Sequence, residues 1–120
     1  MIGDINIEMM NEGARLIMNH TDFTSFSKLH TQVSTNNCKV FQAKWEERDQ
    51  LLVFKISADR FLRNMVRAIV GTLLDLGRNK IGLNDLQMII ESKNRSKAGI
   101  SVPAKGLFLV NIKYPNHIFT

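Results

Sequence analysis

Residues 60–76 constrain this chain most: Phe61, Leu62, Met65, Val66, Ile69, Val70, Leu73 and Leu76 recur at helical spacing. A helix lays these side chains along one broad side, which must be buried against another layer. The spacing predicts a helix over 60–76, with Asp59 as N-cap and Gly77 as C-cap. Its opposite side would carry Arg60, Arg63, Asn64 and Arg67 within roughly 100° of one another. Arg60 and Arg63 would stand in the first turn, where each positive charge opposes the helix dipole and forgoes about 0.3–1 kcal/mol. Local stability does not explain that placement, whereas a facing phosphate or carboxylate would. A solvated arginine face is the plain alternative. Gly71, one turn beyond Arg67, leaves room for another segment to approach.

The remaining elements are shorter. Ile5, Met9, Ala14, Leu16 and Ile17 give an imperfect apolar stripe over 5–19, with Gly13 an interruption costing about 1 kcal/mol relative to Ala. Phe23 and Phe26 are spaced to dock together from one turn or short helix. A polar stretch over 31–37 reads as a loop. Residues 38–45 and 50–57 read as strands joined through 46–49, and the second alternates Leu51, Val53 and Lys55 against Leu52, Phe54 and Ile56. A short helix follows Leu83 through Leu86, Ile89 and Ile90, starting at Asn84 or in the loop before it. A final strand over 106–114 ends at Pro115. This order predicts an α+β two-layer domain, its mostly antiparallel sheet covered by helices on one face. Three strands leave edges that want a partner.

At 120 residues the chain is one domain, small for an enzyme with its own cleft. Sixteen Lys and Arg against 11 Asp and Glu give a formal charge of +5, which favours polyanions without identifying a nucleic-acid binder. No apolar run is long enough to span a membrane, and the first residues do not read as a signal peptide. Cys38 stands alone, which excludes an intrachain disulfide and a multi-cysteine metal site and fits a reducing cytoplasm. His20, His30 and His117 are too scattered for a metal site, and Ser25 and Ser27 lack an evident base. Lys28, Arg95, Lys97 and Lys105 fall in loops, as phosphate contacts or as ordinary solubilising residues. The methionines read as core or interface filling.

Residues 61–74, from Phe61-Leu62-Arg63-Asn64-Met65 to Leu74, resemble the signature helix of TruA-type tRNA pseudouridine synthases. Residues 98–109 are similar to that family's A-G-x-T-A-P-A-x-G-L-x-L signature, with Ser101-Val102-Pro103 where the family has Thr-Ala-Pro. Asp22-Phe23-Thr24-Ser25-Phe26 matches its D-F-x-x-F turn, with Lys28 where a lysine is common, and residues 112–115 resemble its terminal strand ending. The matches keep the family's order across nearly the whole chain.

This resemblance implies one of two related α+β halves that join through a central sheet around an RNA-binding cleft, commonly in a homodimer. The implied activity isomerises uridine to pseudouridine in the anticodon arm of tRNA, with no metal or organic cofactor. The family's catalytic aspartate lies in an R-T-D-x-G-V-like segment of the N-terminal half, which nothing here matches. The chain is therefore expected to be the C-terminal half, an engineered domain or the product of a truncated gene, and inactive alone. Arg67 corresponds to the arginine that pairs with that aspartate and keeps it ionised and oriented. Candidate RNA contacts are Lys28, Arg60, Arg63, Arg95, Lys97, Ser101 and Lys105. The competing expectation is a non-enzymatic RNA-binding or oligomerisation domain.

Overall fold

The computed structural model describes residues 5–26, 37–49, 51–61, 64–93, 95–98 and 111–113. In chain order its elements are α1 (Ile7–Met18), β1 (Val40–Arg48), β2 (Leu51–Ala58), α2 (Met65–Gly77), α3 (Leu83–Ser92) and β3 (Asn111–Lys113). Single 3₁₀ turns lie at Thr24–Phe26 and Arg95–Lys97. The sheet order is β1-β2-β3, with β1 antiparallel and β3 parallel to β2. The helices pack on the sheet as a second layer, which is the α+β architecture expected from the element order.

Asn6 caps α1, its Oδ1 accepting the Met9 N–H at 3.0 Å. The buried stripe of α1 is Met10, Gly13, Ala14 and Ile17, the spacing of a core-facing helix. Met9 and Leu16, expected within it, sit half-buried at its margin. Nor is Gly13 an interruption. A Cβ there would lie 2.5 Å from Leu76 Cδ2 and 2.8 Å from Leu73 Cδ2, so its absence lets α1 lie directly on α2.

The hairpin is longer than expected. Glu46, Glu47 and Arg48 continue β1, pairing with Val53, Leu52 and Leu51, and the reversal begins at Asp49 in the left-handed region (φ 52°). The Glu46 carboxylate lies 3.3 Å from the Lys55 ammonium and 3.9 Å from that of Lys44. On the helix-facing side, Trp45 stacks on its cross-strand partner Phe54 with centroids 4.7 Å apart. Asn11 of α1 closes the outer edge of β1 at that point: its Oδ1 accepts the Trp45 N–H at 2.6 Å and its Nδ2 donates to the Trp45 carbonyl at 3.1 Å. A side-chain amide thus stands in for a missing strand.

The long helix starts later than its apolar spacing suggests. Asp59 does not cap it. Instead the Asp59 carboxylate accepts the Lys39 N–H at 2.8 Å and its own N–H donates to the Lys39 carbonyl at 2.9 Å, holding residue 59 to the hairpin. The N-cap is Asn64, in the left-handed conformation (φ 67°) that Asn tolerates better than most residues. Gly77 is the last helical residue rather than the C-cap, which is Arg78. A Cβ at Gly77 would collide with the buried Met10, so this glycine too is used for close packing. The loop before Asn84 starts α3: Gly82 is its N-cap, and the Asp85 carboxylate accepts the Gly82 N–H at 2.8 Å. Of the expected final strand only Asn111–Lys113 falls within the described residues.

Candidate functional site

The D-F-x-x-F turn is a structural joint. Asp22 Oδ1 accepts hydrogen bonds from the Thr24 N–H at 3.0 Å and hydroxyl at 2.6 Å, which tightens the 3₁₀ turn and sends Phe23 and Phe26 into the core. Their rings lie 6.2 Å apart and both are fully buried. Burial alone would raise the Asp22 carboxyl, but the Thr24 hydrogen bonds, with Lys93 3.7 Å away, hold it below its ordinary value. Ser25 is committed to structure: its hydroxyl donates at 2.6 Å to the Ile89 carbonyl in the last turn of α3, where carbonyls lack helical partners.

Arg67 stands in the first turn of α2, three residues beyond the Asn64 cap, and is half-buried. The late start of this helix changes the expected arginine face. Arg60 precedes the helix, and its Nη1 donates to the Asn37 carbonyl at 3.3 Å, tying the approaches to α2 and β1 together. Arg67, not Arg60, is therefore the first-turn cation that opposes the helix dipole. Asn64 forms the corner and makes no side-chain cap bond. Gly71, one turn on, is buried within α2.

Arg95 and Lys97 follow α3 in a 3₁₀ turn, Arg95 half-buried and Lys97 exposed. Lys80, Ile81, Asp85, Met88, Ile89 and Lys97 are among the residues that line a groove of about 410 Å³ along α3. A second groove, of about 510 Å³, runs between α1 and α3 and carries Glu12, Arg15 and Gln87; Arg67 lines neither. Lys28, Arg63, Ser101 and Lys105 lie outside the described residues, as does the second signature beyond Ala98. His20 reaches Gln87 Oε1 at 3.3 Å through Nε2, a contact that joins the end of α1 to α3. Among the described residues no group of three His, Cys, Asp or Glu side chains can hold a metal ion, and no helix is long and apolar enough to cross a membrane.

What the sequence reading missed is the exposed aromatic of β1. Phe41 is 46% exposed at a β-bulge, an irregularity that alternation of apolar residues does not reveal.

The class is thus a small two-layer α+β domain that presents an arginine at the start of its central helix. Comparison gives the family. The tRNA pseudouridine synthase family profile matches residues 17–115. The chain is 56% identical over 116 residues to tRNA pseudouridine synthase A of Bacteroides fragilis, covering 96% of this chain and 46% of that protein. It is 54% identical over 121 residues to the Bacteroides thetaiotaomicron protein of the same name (98% and 45% covered). Against that of Parabacteroides distasonis it is 52% identical over 117 residues (98% and 46%). The chain belongs to the TruA-type tRNA pseudouridine synthase family. It spans about half the length of these relatives.

Proposed function

We propose that this chain is the C-terminal half of a tRNA pseudouridine synthase that converts uridine to pseudouridine in the anticodon arm of tRNA. The observation that carries the reading is the match of 96% of the chain to 46% of a relative, a match that includes the α2 helix with Arg67 in its first turn. The second half supplies the catalytic aspartate, and Arg67 pairs with that carboxylate to keep it ionised and aimed.

The reaction breaks the N1–C1′ glycosidic bond, turns the base within a closed cleft and joins C5 to C1′. The C5 hydrogen departs as a proton and N1 gains one, so atoms balance without a redox partner, metal or organic cofactor. The target uridine must first leave its stack, which costs a few kcal/mol that contacts from both halves offset. One half offers Arg67 and cationic surface without the nucleophilic carboxylate, so the chain is inactive alone. On the same reading the whole enzyme is a cytoplasmic homodimer, and Cys38, buried and outside any disulfide, suits a reducing compartment. Arg60, Arg95 and Lys97, with Lys28, Arg63, Ser101 and Lys105, contribute RNA contacts that position the substrate.

The test is release of tritium from C5-labelled uridine in unmodified tRNA. The chain alone should release none, and the chain mixed with its complementary half should restore release. Turnover by the chain alone contradicts the division of labour. RNA binding with no turnover in the mixture favours a non-enzymatic RNA-binding or oligomerisation domain.

A further inference from the structure

Val40 and Ala43 both face the core, at 5% and 6% exposure, although strict strand alternation puts residues three apart on opposite faces. A bulge resolves the conflict. Val40 pairs with Ala58 and Gln42 with Ser57, which leaves Phe41 as the extra residue. Phe41 and Gln42 consequently both point outward. Bulges re-aim side chains in this way beside binding sites. The described residues leave two large hydrophobics exposed, Phe41 and Met88, and Phe41 is the aromatic one.

Lysines flank this ring along the strand. Lys39 precedes it and Lys44 follows, both exposed. Two carboxylates lie nearby: Asp59 accepts the Lys39 N–H at 2.8 Å, and Glu46 sits closer to Lys55, at 3.3 Å, than to Lys44, at 3.9 Å, so Lys44 is the weaker of its two partners. An aromatic face between lysines fits a nucleic-acid strand, in which a base stacks and phosphates flank it. Protein–protein interfaces, in contrast, deplete lysine at their centres. Strand addition along β1 is interrupted at Trp45, whose edge N–H and carbonyl are taken by Asn11.

We propose that Phe41 is a stacking platform for an unpaired base of the RNA substrate, with Lys39 and Lys44 contacting the adjoining phosphates. The proposal rests on the RNA-binding reading above and adds to it a site on the edge strand.

The experiment uses the 120-residue chain and a fluorescein-labelled, unmodified anticodon stem-loop, with affinity read by anisotropy. Phe41→Ala should weaken binding roughly five- to hundred-fold with the melting temperature unchanged. Phe41→Leu should behave like Ala, because it keeps apolar bulk without a π-face. Phe41→Trp should retain affinity, and RNA should quench its emission above the background of buried Trp45. Lys39→Gln should lower the slope of log affinity against log salt by about 1. Unchanged affinity in Phe41→Ala overturns the platform, as does full affinity in Phe41→Leu. A fall in sedimentation mass for Phe41→Ala with RNA affinity retained also overturns it, assigning the ring to a contact between copies. Unaltered RNA affinity in Phe41→Ala together with isomerisation by the recombined halves removes the platform and leaves the enzyme reading standing. Aromatic-dependent RNA binding without isomerisation does the reverse.

Discussion

Asp22 shows how one carboxylate couples a turn to pH. Its two hydrogen bonds from Thr24 and the neighbouring Lys93 favour the charged form more than burial disfavours it. The folded-state pKa is therefore below the unfolded one, and the resulting stabilisation is fully present above the unfolded value, near 3.8. It disappears as pH falls through the lowered folded value. Asp22→Asn should accordingly melt earlier than the unsubstituted chain at neutral pH, with the gap closing as pH drops below about 4. A gap that stays constant from neutral to acidic pH means that the charge of Asp22 contributes nothing beyond its hydrogen bonding.

At the scale of elements, two contacts decide how α1 sits on the rest. Gly13→Ala gains about 1 kcal/mol of helix propensity, but its new methyl must displace Leu73 and Leu76, both fully or almost fully buried. Overpacking of that kind costs about 1–3 kcal/mol, so denaturant unfolding should show a net loss of stability. A net gain would mean that α1 can slide outward freely. Asn11→Ala removes both bonds to Trp45 and leaves a part-buried N–H and carbonyl on the edge of β1. It should lower stability by about 1–3 kcal/mol, and the bared edge should raise the tendency to aggregate on heating. Light scattering during a melt reads that second effect separately from the first.

For the whole molecule, the proposed function ties the half-length coverage of the relatives to the first-turn position of Arg67. A guanidinium at a helix N-terminus is unfavourable to its own helix, and on the proposed function a carboxylate from the second half would reverse that balance. In the recombined enzyme Arg67→Ala should lower turnover about 100-fold, within the range for removing one preorganised charged or hydrogen-bonding group from a reaction centre. Affinity for tRNA should change far less, because many phosphate contacts share it. Equal losses in affinity and turnover would make Arg67 an RNA-backbone contact instead.

Helix and strand identities, the α+β class and the family were legible from residue order, because apolar spacing and motif succession are local properties of the chain. The 3.6-residue spacing locates α2 and α3, alternation locates β2, and the motifs around Asp22 and Arg67 locate the family. Boundaries and special contacts were not legible, because partners distant in sequence compete for the same groups. Asp59 is a good N-cap by type, yet a backbone N–H 20 residues earlier captures its carboxylate and delays the helix to Asn64. Gly13 looks like a break in pattern and Gly77 like a C-cap until Leu73, Leu76 and Met10 are folded against them. Phe41 reads as one more strand residue until pairing with β2 inserts it as a bulge and turns its ring outward. Periodicity says which face of an element seeks burial; only three-dimensional packing determines which atoms meet there and which are left facing out.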